Sequence, residues 1–506
     1  MKITDLRLNG IRNPLGFELP YLSFSWKVGD TASRQPALER LTVADGPDFA
    51  RVLYEKEGQR LNRLGEQAQI ALAPRHRYFA RVRVTGDAGD SAEETAWFET
   101  GKMDEPWQAR WIAPQAEDTF HPLFFRGFAL PGAIASARLY ITGLGLYEAY
   151  LNGRKAGDDL LAPFCNDYNE AVQAQTYDVT DLLRCGENTI EILCGNGWYK
   201  GRLGYEGSSA VYGDTFRALA ELRVTLQDGS EQVIGTDAGW QYRSSDFEAT
   251  DIYDGECLNR LLWQGRENPD KPARLAEPRR TADRGSLPVI AKHALPVAQI
   301  IRTPAGETVL DMGQNFAGYL EYTADFPAGT RVVLDHGEIL QNGNFYNDNY
   351  RTAKAQMIYV SDGRRETVRA HFTFFGFRYV RVTGWPLEEA VKAAGRPMPQ
   401  ATTVYQEMLD RKDIDAICVF SGWNEHLPLC IEAMKAGKYV ATEVGGANSI
   451  EQCWETVRVS ERTGMPCMLL ENCCYDRREM ALLNMVRQDV FGELVHCQGG
   501  YEHALR

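Results

Sequence analysis

The sequence predicts a mostly β protein: three consecutive domains of β-sandwich or jelly-roll type, followed by a partial α/β unit of Rossmann-like type. Short runs that alternate apolar and polar residues, separated by turn residues, continue to about residue 386. Beyond that point, nearly continuous apolar runs alternate with segments of helical periodicity, as in parallel sheets covered on both faces. The cysteines are also unevenly distributed, since most of the 11 lie from Cys418 onward.

Residues 1–102 predict a small all-β domain. Leu22, Phe24 and Trp26 alternate with polar residues, and residues 79–84 show the same alternation. Short strands with turns about every ten residues are typical of a fibronectin-III-like sandwich. We expect this domain to serve as a scaffold.

The second domain, residues 103–285, is organised around residues 136–201. Its clearest signal is the alternating run Tyr147–Leu151, which leads into Asn152-Gly153. Asn-Gly between alternating runs predicts a two-residue hairpin, because both turn residues need a positive φ. A sheet with one apolar face must be covered by a second layer, so this stretch predicts a β-sandwich. Residues 286–386 predict a third β domain.

Ordered blocks in these three domains resemble the bacterial α-L-rhamnosidases, glycoside hydrolase family 78. The blocks are residues 143–153, 175–180, 195–201, 251–256, 310–318, 336–340 and 374–384. The resemblance implies the N-terminal β domains of a hydrolase in the family's order, with the catalytic (α/α)₆ barrel expected next. The sequence changes character at that point, so we expect carbohydrate recognition without the barrel and predict no catalytic residue.

The last part, residues 387–506, predicts alternating strands and helices. Apolar strands are predicted over residues 414–420, 438–442 and 467–470, with helices between them and a further helix over residues 477–488. Ser449 and Gln452 form a capping-box pattern at the start of a helix that is predicted to end near Gly464. This order implies a parallel, doubly wound sheet.

This tail resembles the Gfo/Idh/MocA oxidoreductases, and within them the NAD-dependent glycosidases of family 109. The matching blocks are residues 413–417, 433–438, 451–454, 470–475, 483–487 and 491–495. The resemblance implies cofactor-binding positions at Glu443, Trp423, His426 and Tyr475. A dinucleotide fold also needs a Gly-x-Gly-x-x-Gly loop that meets the pyrophosphate. The sequence has no such loop, so we do not expect NAD to bind.

The same comparison predicts an open sheet edge in the tail. In the Rossmann order the strand around residues 417–420 pairs with a first strand, and the tail lacks that part of the pattern. An unpaired hydrophobic edge favours pairing with another chain. We therefore expect that the protein can form oligomers through this edge.

Composition excludes several classes of partner. A net charge of −14 disfavours nucleic acid and anionic membranes. No apolar run approaches the ~18 residues that a membrane helix needs. The N-terminal residues lack the apolar core of a signal peptide, so we expect a cytoplasmic protein.

The candidate sugar-binding residues are Asn196, Trp198, Tyr199 and Asp254. Aromatic faces beside hydrogen-bonding side chains suit sugars, although interior packing is the alternative for both aromatic residues. The rhamnosidase resemblance adds calcium as a candidate cofactor, with oxygen ligands from Asn196 and Asp254 and the remaining metal ligands unknown. The acidic pair Asp158-Asp159 is predicted to be a solvated turn rather than a catalytic pair.

Three hypotheses of function follow. The first is recognition of a carbohydrate, such as a rhamnose-containing glycan, by the β domains. The second is NAD-dependent glycosidase or oxidoreductase activity in the tail. The third is an inactive fused or truncated reading frame, since each of the two family patterns is interrupted at its functional centre.

Overall fold

The computed structural model describes residues 1–115, 120–204, 207–385, 405–412, 414–419, 421, 424–444, 447–470 and 484–487. The chain divides into two compact units, Met1–Met398 and Pro399–Arg506. Nearly all of the regular secondary structure in the described part of the first unit is strand, and the described part of the second unit alternates strands and helices. The predicted fold class is confirmed.

The first domain is a sandwich of two sheets that enclose a core around Phe24, Trp26, Leu41 and Phe98. One sheet has three strands, in the order Lys2–Leu8, Leu22–Gly29 and Glu66–Ala68. The other has five strands, in the order Leu15–Phe17, Ser91–Thr100, Arg77–Gly86, Pro36–Ala44 and Val52–Gly58. The alternation at Leu22, Phe24 and Trp26 therefore marks a buried face, as predicted.

The second domain is also a sandwich. Its six-stranded sheet runs in the order Arg154–Lys155, Leu146–Leu151, Gly186–Gly195, Pro122–Leu130, Gln241–Ser244 and Lys271–Pro272. The facing sheet runs Arg274–Leu275, Ile112–Ala113, Arg217–Leu226, Ile134–Leu144, Val172–Asp178 and Thr281–Asp283, and Glu231–Gly235 pairs with Arg217–Leu226. Short helices occupy Thr180–Leu182 and Gly197–Lys200, and Arg202–Leu203 pairs with Ser208–Ser209.

The predicted hairpin is present in the six-stranded sheet. Leu151 pairs with Arg154, and Asn152 and Gly153 between them have φ values of 52° and 75°. Both are positive, as a type I′ turn requires. The turn fixes the register that points Tyr147, Ala149 and Leu151 into the sandwich core.

The third domain is built on one large sheet. Its strands follow the order Phe247–Asp251, Gly255–Asn259, Gln356–Val360, Arg331–Gly337, Phe375–Thr383, Thr308–Gly318 and Gln299–Arg302. Two small pairs accompany it, Glu321–Ala324 with Glu366–Arg369 and Ile339–Gln341 with Asn344–Tyr346, and Asp348–Tyr350 is a short helix. The first two strands come from the segment assigned to the second domain by sequence, so the backbone enters the third sheet before residue 286.

Gly255 lies where the backbone enters the third sheet, at a position with no room for a side chain. Its φ is +101°, and a Cβ atom at this position would overlap the backbone carbonyl of Gln356 on the neighbouring parallel strand. We expect Gly255→Ala to lower the free energy of unfolding by more than ~2 kcal/mol, measured by urea denaturation. Gly229→Ala is the control, because Gly229 has a φ of +85° and nothing within 4 Å of the added Cβ. Equal losses in the two variants would contradict this account.

In the second unit the described residues form a parallel three-stranded sheet in the order Ala416–Val419, Tyr439–Thr442 and Cys467–Leu469. Helices Tyr405–Asp410, His426–Lys435 and Ile450–Thr463 accompany it. Ser449 Oγ accepts a hydrogen bond from the Gln452 backbone N–H, and Gly464 ends the helix with a left-handed conformation, as the capping pattern predicted. The helix predicted at 477–488 lies largely outside the described residues.

The strand Ala416–Val419 lies at the edge of this sheet, where its described partner is Tyr439–Thr442. Association through this edge stays a prediction. None of the helices formed by the described residues has the length and apolar character to span a membrane.

Candidate functional site

The sequence-predicted sugar residues lie near the place where the second and third domains join. The strand Gly186–Gly195 ends here, and the helix Gly197–Lys200 follows it. Asn196 is held by Thr250, because its backbone N–H donates to Thr250 Oγ1 at 2.8 Å and its Nδ2 donates to the Thr250 carbonyl at 2.7 Å. No described residue hydrogen-bonds to Asn196 Oδ1, which leaves that oxygen as an acceptor.

The two aromatic residues of the helix have different environments. Tyr199 is 2% exposed and packs edge-on against Tyr168, with ring centroids 5.2 Å apart. Trp198 is half-buried and packs against two apolar clusters, the core of the third domain and the cluster around Tyr168 and Tyr199. The packing interpretation therefore suits Tyr199, and Trp198 is the aromatic residue with surface left for a ligand.

Both carboxylate oxygens of Asp254 contact cationic side chains. Its Oδ1 accepts from Arg202 Nη1 at 2.5 Å, and its Oδ2 lies 3.1 Å from Lys354 Nζ. Arg202 Nη2 also donates to Thr352 Oγ1 at 2.6 Å. Burial alone would raise the pKa of Asp254, but the hydrogen bonds and charge of Lys354, together with Arg202, lower it below its usual value. We call Asn196, Trp198, Arg202 and Asp254 the Trp198 site.

This arrangement does not fit calcium at Asp254. Six to eight oxygen ligands are needed, and both carboxylate oxygens of Asp254 already face a cationic side chain. Within the described ranges, no group of three or more His, Cys, Asp or Glu side chains is placed to hold a metal ion.

Arg202, Thr352 and Lys354 were missed by the sequence analysis. Arg202 directly follows the block that ends at Gly201, so its proximity to Trp198 gave a usable signal. Lys354 is 100 residues away from Asp254, and its backbone N–H donates to Asp254 Oδ1 at 3.3 Å. Only the pairing of strands from distant segments brings it to the site.

The cofactor residues predicted in the tail are only partly described. Glu443 is exposed just after the strand Tyr439–Thr442, and its Oε1 accepts from the Val444 backbone N–H at 3.0 Å. His426 is 1% exposed, with Nε2 2.7 Å from the Ser421 carbonyl oxygen. Trp423 and Tyr475 lie outside the described residues. The cofactor role of these four positions stays a prediction.

The expectation of a solvated acidic turn at Asp158-Asp159 holds only for Asp158. Asp159 is buried, at 7% exposure, and its Oδ2 accepts from Arg284 Nη2 at 2.6 Å and from Tyr177 Oη at 2.9 Å. The prediction for Asp159 was wrong because Arg284, far along the chain, supplies a buried counter-charge. The Asp159–Arg284 ion pair therefore has a structural role.

Three successive β domains make up most of the described part of the first unit, and the partly exposed Trp198 packs against the core of the third domain. Three family models match this region in order. Residues 3–104 match a Rha78A-like N-terminal immunoglobulin domain, residues 132–297 the α-L-rhamnosidase N-terminal domain, and residues 301–400 the bacterial α-L-rhamnosidase concanavalin-like domain. Residues 475–506 match the C-terminal domain of glycosyl hydrolase 109.

Curated relatives match both the β domains and the tail of this chain. An α-L-rhamnosidase of Streptomyces avermitilis is 39% identical over 272 residues, which is 51% of this chain and 26% of the relative. One from Formosa agariphila is 30% identical over 420 residues, 74% of this chain and 44% of its own length. An α-N-acetylgalactosaminidase of Bacteroides fragilis is 41% identical over 122 residues, 24% of this chain and 29% of the relative. The chain thus spans less than half the length of each of these relatives.

Solved structures show the same β architecture. The crystal structure of an α-L-rhamnosidase from Aspergillus terreus has a TM-score of 0.69 and 30% identity, covering 76% of this chain and 47% of its own. The Streptomyces avermitilis enzyme complexed with L-rhamnose has a TM-score of 0.66 and 22% identity, covering 78% and 56%, and shows a shared fold. The β domains of this chain are therefore similar to those of α-L-rhamnosidases, and residues 475–506 are similar to the C-terminal domain of glycosyl hydrolase 109.

Proposed function

We propose that this chain recognises carbohydrate through its β domains, and that the ligand is a rhamnose-containing glycan. The observation that carries the proposal is the half-buried indole of Trp198, two residues after Asn196, whose Oδ1 accepts no hydrogen bond from a described residue. A sugar presents C–H groups that pack on an aromatic face and hydroxyl groups that need acceptors. Relatives named α-L-rhamnosidases support rhamnose as the sugar unit.

The proposal is limited to recognition. Glycoside hydrolysis needs two carboxyl groups that flank the bond and can reach it. Glu148 and Glu256 do lie close together around His371, but they are only 2% and 3% exposed and are used in internal contacts. Among the described residues we assign no catalytic pair. NAD-dependent chemistry in the tail, and an inactive fused frame, stay alternative hypotheses.

The Trp198→Ala variant tests the proposal. We expect L-rhamnose to bind the unmodified protein in the millimolar range and Trp198→Ala to weaken this binding about tenfold at that site, because the stacking surface is lost. Saturation-transfer NMR at increasing sugar concentrations measures the affinity. The titration is repeated with calcium and with a chelator, and we expect no difference because Asp254 is already neutralised.

Trp97→Ala is the matched control. Trp97 is also half-buried and has a cation on its face, since Arg77 lies 4.1 Å from the ring centroid, but it belongs to the first domain. Its loss should leave rhamnose binding unchanged. No saturable signal with the unmodified protein, or equal weakening in the two variants, would refute the proposal.

A further inference from the structure

A second cleft lies on the outward face of the six-stranded sheet of the second domain. Leu123 and Leu193 pair across neighbouring strands, Tyr150 pairs with Glu191, and Arg243 pairs with Leu123. These side chains lie opposite the core residues because strand neighbours alternate between faces. They line a cavity of about 450 Å³, a size that suits a small ligand.

The floor of this cleft is apolar. Leu123 and Leu193 lie side by side and are both half-buried. The ring of Tyr150 stands beside them and is fixed, because its hydroxyl donates to Glu148 Oε2 at 2.5 Å. The cleft therefore has an apolar floor beside one aromatic ring that is held in place by a hydrogen bond.

The rim of the cleft has unused hydrogen-bonding capacity. The Glu191 carboxylate is half-buried, yet it forms no hydrogen bond or ion pair with any described residue. Asp246 uses Oδ2 to accept from Arg260 Nη1 at 3.0 Å, and no described residue hydrogen-bonds to its Oδ1. Arg243 lies over the Phe125 ring at 4.9 Å and is 3.5 Å from Asp270. A carboxylate without a protein partner is available to accept hydrogen bonds from the hydroxyl groups of a ligand.

The charges of the lining residues indicate the class of ligand. The positive charges of Arg243 and Arg260 repel a metal cation or an amine, whereas the negative charges of Glu191 and Asp246 repel a phosphate or a uronic acid. A neutral ligand with both an apolar face and hydroxyl groups fits this combination. We propose that the cleft is a second carbohydrate site that takes one neutral hexose or deoxyhexose unit. The inference rests on the proposed function, since it assumes that the chain recognises a glycan.

The test uses the full chain with Trp198→Ala as background, where binding at the Trp198 site is already weakened about tenfold, so that the tighter binding that remains reports on the cleft. We expect L-rhamnose to bind this background saturably in saturation-transfer NMR, and the added Glu191→Ala change to weaken that binding about tenfold. Glu187→Ala is the control, because Glu187 is an exposed carboxylate on the same face of the same strand. D-glucuronate should bind more weakly than L-rhamnose.

Three results would overturn the inference. One is loss of all binding in Trp198→Ala alone, which would keep the proposed function and remove the cleft. Another is equal behaviour of Glu191→Ala and Glu187→Ala. The third is tighter binding of D-glucuronate, which would contradict a neutral ligand.

If Glu191→Ala does not fold, as judged by circular dichroism, Arg243→Gln replaces it with the same expectation. An unmodified protein that binds no sugar would refute the proposed function as well.

Discussion

Glu148→Gln is expected to lower the free energy of unfolding by about 3–5 kcal/mol at pH 7, the usual cost of removing one partner of a buried ion pair. Glu148 is 2% exposed, and its carboxylate accepts from Arg369 Nη2 at 2.6 Å and lies 2.7 Å from His371 Nδ1. It joins the second domain to the third. The amide keeps the shape of the side chain but leaves the Arg369 guanidinium without its counter-charge. Urea denaturation measures the loss.

The same variant gives a pH dependence with a defined sign. Burial alone would raise the pKa of Glu148, but the charges of His371 and Arg369 hold it well below its usual range. A carboxyl whose pKa is lowered by folding stabilises the protein above its unfolded pKa of about 4.3, and this contribution is lost as the pH falls below that value. The difference between the original protein and Glu148→Gln should therefore shrink towards pH 3. A difference that stays constant from pH 7 to pH 3 would contradict the assignment.

Arg284→Met is expected to cost a similar ~3–5 kcal/mol, because it leaves Asp159 buried without its counter-charge. The two side chains are 5% and 7% exposed. Arg284 also lies 5.2 Å from the ring centroids of Phe17 and Phe164, so it links the first domain to the second. Urea denaturation again gives the change in unfolding free energy.

Two further variants distinguish the stability cost of an unpaired buried charge from the cost of losing an ion pair. In Arg284→Met with Asp159→Asn, no uncompensated charge remains, so we expect most of the stability to return. Arg126→Met removes the exposed Arg126–Asp237 pair, whose side chains are 33% and 43% exposed, and should cost no more than ~1 kcal/mol. If the double variant were less stable than Arg284→Met, the explanation by an unpaired Asp159 would be wrong.

Features that depend on local backbone preference could be predicted from sequence. The Asn152-Gly153 hairpin and the helix from Ser449 to Gly464 are examples, since turn and cap conformations depend on a few adjacent residues. The change from mostly antiparallel pairing in the first unit to parallel pairing in the second was also predictable. It follows from apolar periodicity, which reports whether one or both faces of a sheet are covered.

The candidate site could be predicted only in part. Trp198 and Asn196 were found because they lie in one short block, but sequence gave no means of separating half-buried Trp198 from buried Tyr199. Their exposures depend on Tyr168 and on the third domain, which other segments supply. The cleft beside Glu191 was not predicted at all, because its lining comes from strands that meet only in the folded sheet.

The sequence by itself determined the order of the β domains, the local turns and caps, and the composition of each sheet face. The tertiary structure decided which charges are paired, with Asp159 held by Arg284, Asp254 held by Lys354, and Glu148 held by Arg369. The physical reason is distance along the chain. For these three carboxylates a distant segment supplies the cation, so the pairing depends on how strands pair rather than on the residues beside each carboxylate.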